Sequence, residues 1–200
     1  MKVRRYRSRA CKQCTRASAE PAAADPRLLA VVRGAERFRA DIGHQVYAGD
    51  TPLHLAAATY QPDLIAELLR AGADVRARNR RGAEPLHYAV DGGPGSPLWD
   101  PTAQRESIAI LLAAGADPNA LDKNGTSPLH RAVRNRCADA VAALLEGGAD
   151  PRLRNGSRST PMDLTRWTTG RGGSGSAAAK AQREQIRQLL IDRGVADDRP

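Results

Sequence analysis

Three histidines invite a test for metal or acid–base chemistry. His54, His87 and His130 hold one register, 33 and 43 residues apart, each two places after a proline. A metal needs its ligands converging to about 2 Å from one point. Equivalent residues on helices of successive packed units stand about 8–10 Å apart, too far to share an ion. Cys11-Lys-Gln-Cys14 is a lone C-x-x-C, with no histidine beside it and Cys137 far along the chain. A zinc site asks for two further ligands, and a redox pair for a helix opening after a strand. Neither accompanies this pair. No nucleophile–base pair, glycine-rich phosphate loop or carboxylate pair stands out. The sequence therefore predicts no catalytic residue, no cofactor and no metal, and hence no enzyme. What it does offer is arginine, whose planar fork matches carboxylates.

The elements that would position these residues recur. In TPLHLAAATYQPDLIAELLRAGAD, residues 51–74, Thr51 can cap a helix that Pro52 begins. Leu53, Leu55, Ala56 and Ala57 make it apolar and thin, and Pro62 ends it and can open the next helix. Leu64, Ile65, Leu68 and Leu69 fall at helical spacing, and Gly72 supplies the stop. Pro52, Pro85, Pro128 and Pro161 follow at intervals of 33, 43 and 33, and Gly72, Gly115 and Gly148 at 43 and 33. One period, lengthened once by ten residues, runs through the chain.

TPLHLAA at 51–57, EPLHYAV at 84–90, SPLHRAV at 127–133 and TPMDLT at 160–165, with LLRAGAD, LLAAGAD and LLEGGAD ending at 74, 117 and 150, resemble the ankyrin repeat family. The resemblance covers roughly residues 27–197. It implies an all-α solenoid of stacked helix-turn-helix units joined by hairpin-like loops. It also implies that the histidines are structural, each ring tying the start of a first helix to nearby backbone. Asp74, Asp117 and Asp150 are expected to accept backbone N–H bonds in the loops.

Residues 1–24 read as a basic, disordered tail, with seven Lys and Arg against Glu20 in the first twenty positions. Residues 25–49 read as an N-terminal capping half-repeat, opened by Asp25-Pro26. Full repeats are expected at 50–82, 83–125 and 126–158, with Gly82 turning the first finger. The ten extra residues are placed in a loop insertion over 91–106. A fourth repeat or C-terminal cap spans 159–197, where Asp163 replaces histidine, a Gly/Ser loop occupies 170–176 and the last helix covers about 178–192. No run approaches the ~20 apolar residues of a membrane span, and no secretory signal is seen. Three cysteines are too few for a disulfide framework and suit a reducing compartment. The expected setting is cytoplasmic, and the expected state a monomer.

Function is expected from surface. The fingers carry Arg76, Arg78, Arg80, Arg81, Lys123, Arg152, Arg154 and Arg158, and the third first-helix adds Arg131 and Arg134. Tyr60, Tyr88 and Trp167 are candidate aromatic anchors. Trp99, in the insertion, is read two ways: as a partner anchor, or folded back on its own scaffold. Stacking would line the arginines into a stripe for an acidic surface of another protein. The alternative is nucleic-acid or anionic-surface binding through the tail, within residues 1–20, with the repeats as scaffold.

Overall fold

The computed structural model describes residues 49–93, 99–166 and 177–196. The tail, nearly all of the capping half-repeat, the Gly/Ser loop and Trp167 lie outside the described residues. Among the described residues there are eight helices and no strand. They are α1 (Pro52–Ala58), α2 (Pro62–Arg70), α3 (Pro85–Ala89), α4 (Pro101–Ala113), α5 (Pro128–Asn135), α6 (Ala138–Glu146), α7 (Pro161–Thr165) and α8 (Ala177–Asp192). The odd-numbered helices pack on one another in a row, α1 on α3 on α5 on α7. The even-numbered ones form a second row behind, α2 on α4 on α6 on α8.

The first helices are short because each is bounded locally. Thr51, Glu84, Ser127 and Thr160 sit in extended conformation as N-caps, and proline follows each. The residue after the proline fills the core: Leu53, Leu86, Leu129 and Met162 are all buried. Four places after the proline, Ala56, Ala89, Ala132 and Thr165 let the next helix approach. Ile65, Leu68, Ile108, Leu111, Val141 and Leu144 make the matching seam on the second row. Each such side chain contributes about 1.5–3 kcal/mol by leaving water. At the end of the second helices, Gly72, Gly115 and Gly148 have φ between 89° and 93°, a region that costs a Cβ-bearing residue energy.

The long repeat differs from expectation. The loop expected over 91–106 gives way to helix at Pro101, because the Asp100 carboxylate accepts from the N–H groups of Thr102 (2.9 Å) and Ala103 (3.0 Å). α4 has 13 residues where α2 and α6 have nine, so part of the insertion lengthens a helix. The added turn carries Gln104, which is fully buried. Its amide donates to the Ala89 carbonyl at 3.0 Å, and its Oε1 accepts from the Trp99 indole and the Cys137 thiol, both at 2.9 Å. Cys137 is thus a core residue, its thiol pushed up to about 11, chiefly by burial.

α8 closes the described stack. Its Gln182 accepts from the Ala138 N–H at the start of α6 (2.8 Å), and Arg193, just past it, donates to the Leu145 carbonyl near the end of α6 (2.6 Å). Among the described residues no helix is long and apolar enough to cross a membrane.

Candidate partner-binding face

The fingers between units are built on one position, held by asparagine or aspartate. Asn79, Asp122 and Asn155 each turn a side-chain oxygen onto two backbone N–H groups, those of Arg81 and Ala83, Asn124 and Thr126, and Ser157 and Ser159. The residue three places after each has positive φ: Gly82 at 71°, Gly125 at 67° and Arg158 at 63°. Neighbouring fingers bond directly. The Lys123 N–H donates to the Arg81 carbonyl at 2.8 Å, and the Gly156 N–H to the Gly125 carbonyl at 3.2 Å.

The histidines lock the fingers to the helices. A backbone N–H can only donate, so Nδ1 of His54, His87 and His130 accepts from the N–H of Thr51 (3.1 Å), Glu84 (3.1 Å) and Ser127 (3.4 Å). The ring proton is then on Nε2, which donates to the carbonyls of Ala83 (3.0 Å), Thr126 (3.1 Å) and Ser159 (3.1 Å). Each acceptor belongs to the finger leading into the next unit. Burial lowers the affinity of all three rings for a second proton, and for His87, with Arg131 adding to it, to about 4. In the fourth unit Asp163 takes over the local half of this task, accepting from the Thr160 N–H (2.8 Å) and hydroxyl (2.9 Å). A carboxylate cannot donate onward to a following carbonyl.

Asp74, Asp117 and Asp150 accept from the N–H two places on, at 2.9, 2.9 and 2.8 Å. The residue there is a second tie. Arg76 Nε donates to the Gly115 carbonyl (2.9 Å), the Asn119 amide to Gly148 (3.3 Å), and an Arg152 guanidinium N–H to Gly194 (2.6 Å). Each reaches the C-terminal turn of the next unit's second helix. This set was missed in the sequence, although its period was there to be found.

Several of the candidate binding residues are engaged in such ties. Arg131 lies across α3 and the second finger, its side chain only 13% exposed. It pairs with Asp91 (3.1 Å) and Asp122 (2.9 Å). Burial works against its charge, and the two carboxylates outweigh that. Tyr88 is buried, its hydroxyl donating to Asp50 (2.9 Å) and accepting from Asn79 (2.8 Å). The Tyr60 hydroxyl donates to the Asp91 carbonyl. Burial pushes both phenols well above their usual range. Trp99 is half-buried against its own repeat and held by Gln104. Arg76 and Arg152 are exposed but tied to carbonyls, Arg154 donates to the Arg158 carbonyl (2.8 Å), and Arg78 pairs with the buried Glu84 (3.1 Å). Arg80, Arg81, Lys123, Arg134 and Arg158 are exposed at the fingers and on α5. Among the described residues no group of three or more His, Cys, Asp or Glu is placed to hold a metal.

Comparison with known proteins agrees with this architecture. Residues 26–97 match the family described as ankyrin repeats (3 copies), and residues 111–164 match ankyrin repeats (many copies). NF-kappa-B inhibitor alpha of Sus scrofa is 42% identical over 65 residues, 32% of this chain and 21% of that protein. The Homo sapiens protein of that name is 40% identical over 65 residues, 32% of this chain and 20% of its own. Neurogenic locus notch homolog protein 4 of Homo sapiens is 49% identical over 47 residues, 24% of this chain and 2% of that protein. The match thus spans about a fifth or less of each relative's length.

Proposed function

Since the chain belongs to the ankyrin repeat family, we propose that it is a non-enzymatic module that holds a protein partner against its finger face, through an acidic surface of that partner. Ankyrin repeats are in general protein–protein interaction modules. One observation carries the finer reading. The fingers form a continuous, backbone-bonded row on which Arg80, Arg81, Lys123 and Arg158 are exposed, while the polar residues behind them are spent on holding the stack together. A rigid row of cations loses little entropy on binding, and arginine pairs well with carboxylates. One relative is named as an inhibitor of NF-kappa-B. What is carried over from it is the general mode alone, action through hold on a partner.

The test is capture by the full immobilised chain at moderate salt, beside a variant with Arg80, Arg81, Arg134 and Arg158 changed to Glu. A partner retained by the parent chain and lost by a variant of unchanged helical content supports the proposal. Equal retention by both removes it. The charge of the first twenty residues favours a second reading, binding of nucleic acid through the tail. It predicts steep salt dependence and loss of binding on deleting residues 1–24, and is overturned if binding survives the deletion.

A further inference from the structure

The fold ties up most of the serine and threonine hydroxyls. Those of Thr59 and Thr165 bond carbonyls of their own helices, that of Thr160 bonds Asp163, and that of Ser127 bonds His130. Ser107 is fully buried. Among the described residues only Thr102 and Ser157 are exposed serines or threonines. Thr102 lies in the first turn of α4, after Trp99, Asp100 and Pro101, with no basic residue on that side.

Ser157 stands at the tip of the third finger, in Arg154-Asn-Gly-Ser157-Arg158. Its N–H donates to the Asn155 side-chain oxygen at 2.9 Å, while its hydroxyl makes no hydrogen bond among the described residues. Arg154 folds across the turn, an Nη1 N–H on the Arg158 carbonyl at 2.8 Å, so its guanidinium stays beside the tip. The Arg158 side chain is exposed. The second finger abuts one edge, where the Gly156 N–H meets the Gly125 carbonyl, and among the described residues no finger follows on the other. Opening the tip from that edge breaks few bonds. It also lets Arg158, at φ 63°, leave the left-handed region.

We propose that Ser157 is a phosphorylation site for a serine kinase that reads the arginine three places before it, and that the phosphate is then held by Arg154 and Arg158. Kinases select substrates by charge pattern, and an arginine at that distance meets acidic side chains beside the cleft. In the transfer the Ser157 hydroxyl gives its proton to the kinase's base. Its oxygen bonds the γ-phosphorus of a nucleoside triphosphate, the bond to the bridging oxygen breaks, and the diphosphate leaves. The phosphoserine carries a charge of about −1.5 to −2 and three acceptor oxygens, which suit two flanking guanidinium groups. A dianion then stands at one end of a row of cations, where it opposes the docking of anything acidic. The site itself does not depend on what the row binds.

Ser8 and Ser174 share the spacing, after Arg5 and Arg171, so the test uses the full chain carrying S8A/S174A. That chain is incubated with an arginine-directed serine kinase and ATP, and the phosphate is placed by mass spectrometry of its peptides. Label on Ser157 is expected. It should vanish in S157A, persist in S159A and T102A, and form about tenfold more slowly in R154A. No label, label that survives S157A, or an unchanged rate in R154A overturns the assignment. Phosphorus NMR of the phosphorylated chain tests the pairing. The second ionisation of the phosphate should lie about one unit below its usual value of about 6, and return towards it in R158G, where glycine suits the backbone. An ionisation at the usual value in the unaltered finger overturns the part given to Arg154 and Arg158.

Discussion

Lowering the pH should unstack this protein before its carboxylates titrate, and His87 supplies the magnitude. In the folded chain Nδ1 of His87 faces the Glu84 N–H at 3.1 Å, and the ring is fully buried. A second proton would put N–H against N–H. The ring's pKa falls from 6.5 to about 4, by burial first and Arg131 second. The sign follows. The unfolded chain takes up a proton on this ring below 6.5, and the folded chain does so only near 4. The unfolded state therefore holds more protons between those values, and stability falls as pH falls. It is fully present above 6.5 and lost down to about 4. The contribution lost is about 2 kcal/mol at pH 5 and about 3 kcal/mol at pH 4, because each tenfold difference in proton affinity between the two states is worth about 1.4 kcal/mol. His54 and His130 are shifted in the same direction and add to it. Urea melts followed by circular dichroism at pH 7.5 and 5 measure the loss, and an NMR titration of the rings assigns it. A His87 ring titrating near 6.5 in the folded protein, or a midpoint unchanged between the two pH values, would refute the reasoning.

Replacing Arg131 with Ala should cost about 3–5 kcal/mol, because Asp122 is left buried and unpaired. Removing the half-exposed Arg105, whose partner Glu146 at 2.9 Å is exposed as well, should cost about 1 kcal/mol or less. Chemical denaturation of both variants checks the contrast, which fails if the two lose equally. Gln104→Ala strands the Ala89 carbonyl and frees the Trp99 indole, so a loss of about 1–3 kcal/mol is expected, together with a red-shifted tryptophan emission. An unshifted spectrum at full stability would contradict the role given to Gln104. Arg158→Gly should raise the melting temperature slightly. Relief of a left-handed residue, worth roughly 1–2 kcal/mol, outweighs the roughly 0.5–1 kcal/mol that glycine's freedom adds to the unfolded chain. A lower melting temperature would argue against strain at this turn.

The histidines show how far local pattern reaches. Their register two places after proline carries the resemblance to ankyrin repeats, which implies a ring that ties a helix start to backbone, and the structure has that ring at all three sites. Asp163 follows the same logic in reverse, a carboxylate where no donation onward is made. The arginines were not legible in this way. Arg131 and Arg134 lie three apart on one helix and read alike, yet one is enclosed by Asp91 and Asp122 while the other is exposed. Arg76 and Arg152 carried a signal that went unread, since they and Asn119 all stand two places after an Asp at the repeat period. Gln104 carried none. Its partners Ala89 and Cys137 lie 15 and 33 residues away, and Gln104 itself stands in a stretch whose prolines and glycines read as loop.

The sequence by itself determined the units of this protein: their caps, their prolines, their glycine stops and the finger turns. Each depends on groups within a few residues of one another, so a short window of chain contains the whole cause. Only the tertiary structure decided which charges remain for a partner. The Gly115 carbonyl on Arg76, the Asp91 carboxylate on Arg131 and the Gly194 carbonyl on Arg152 arrive from neighbouring units, about 40 residues away along the chain. A charge is available or spent according to what stacks beside it, and that becomes settled only when the units close on one another.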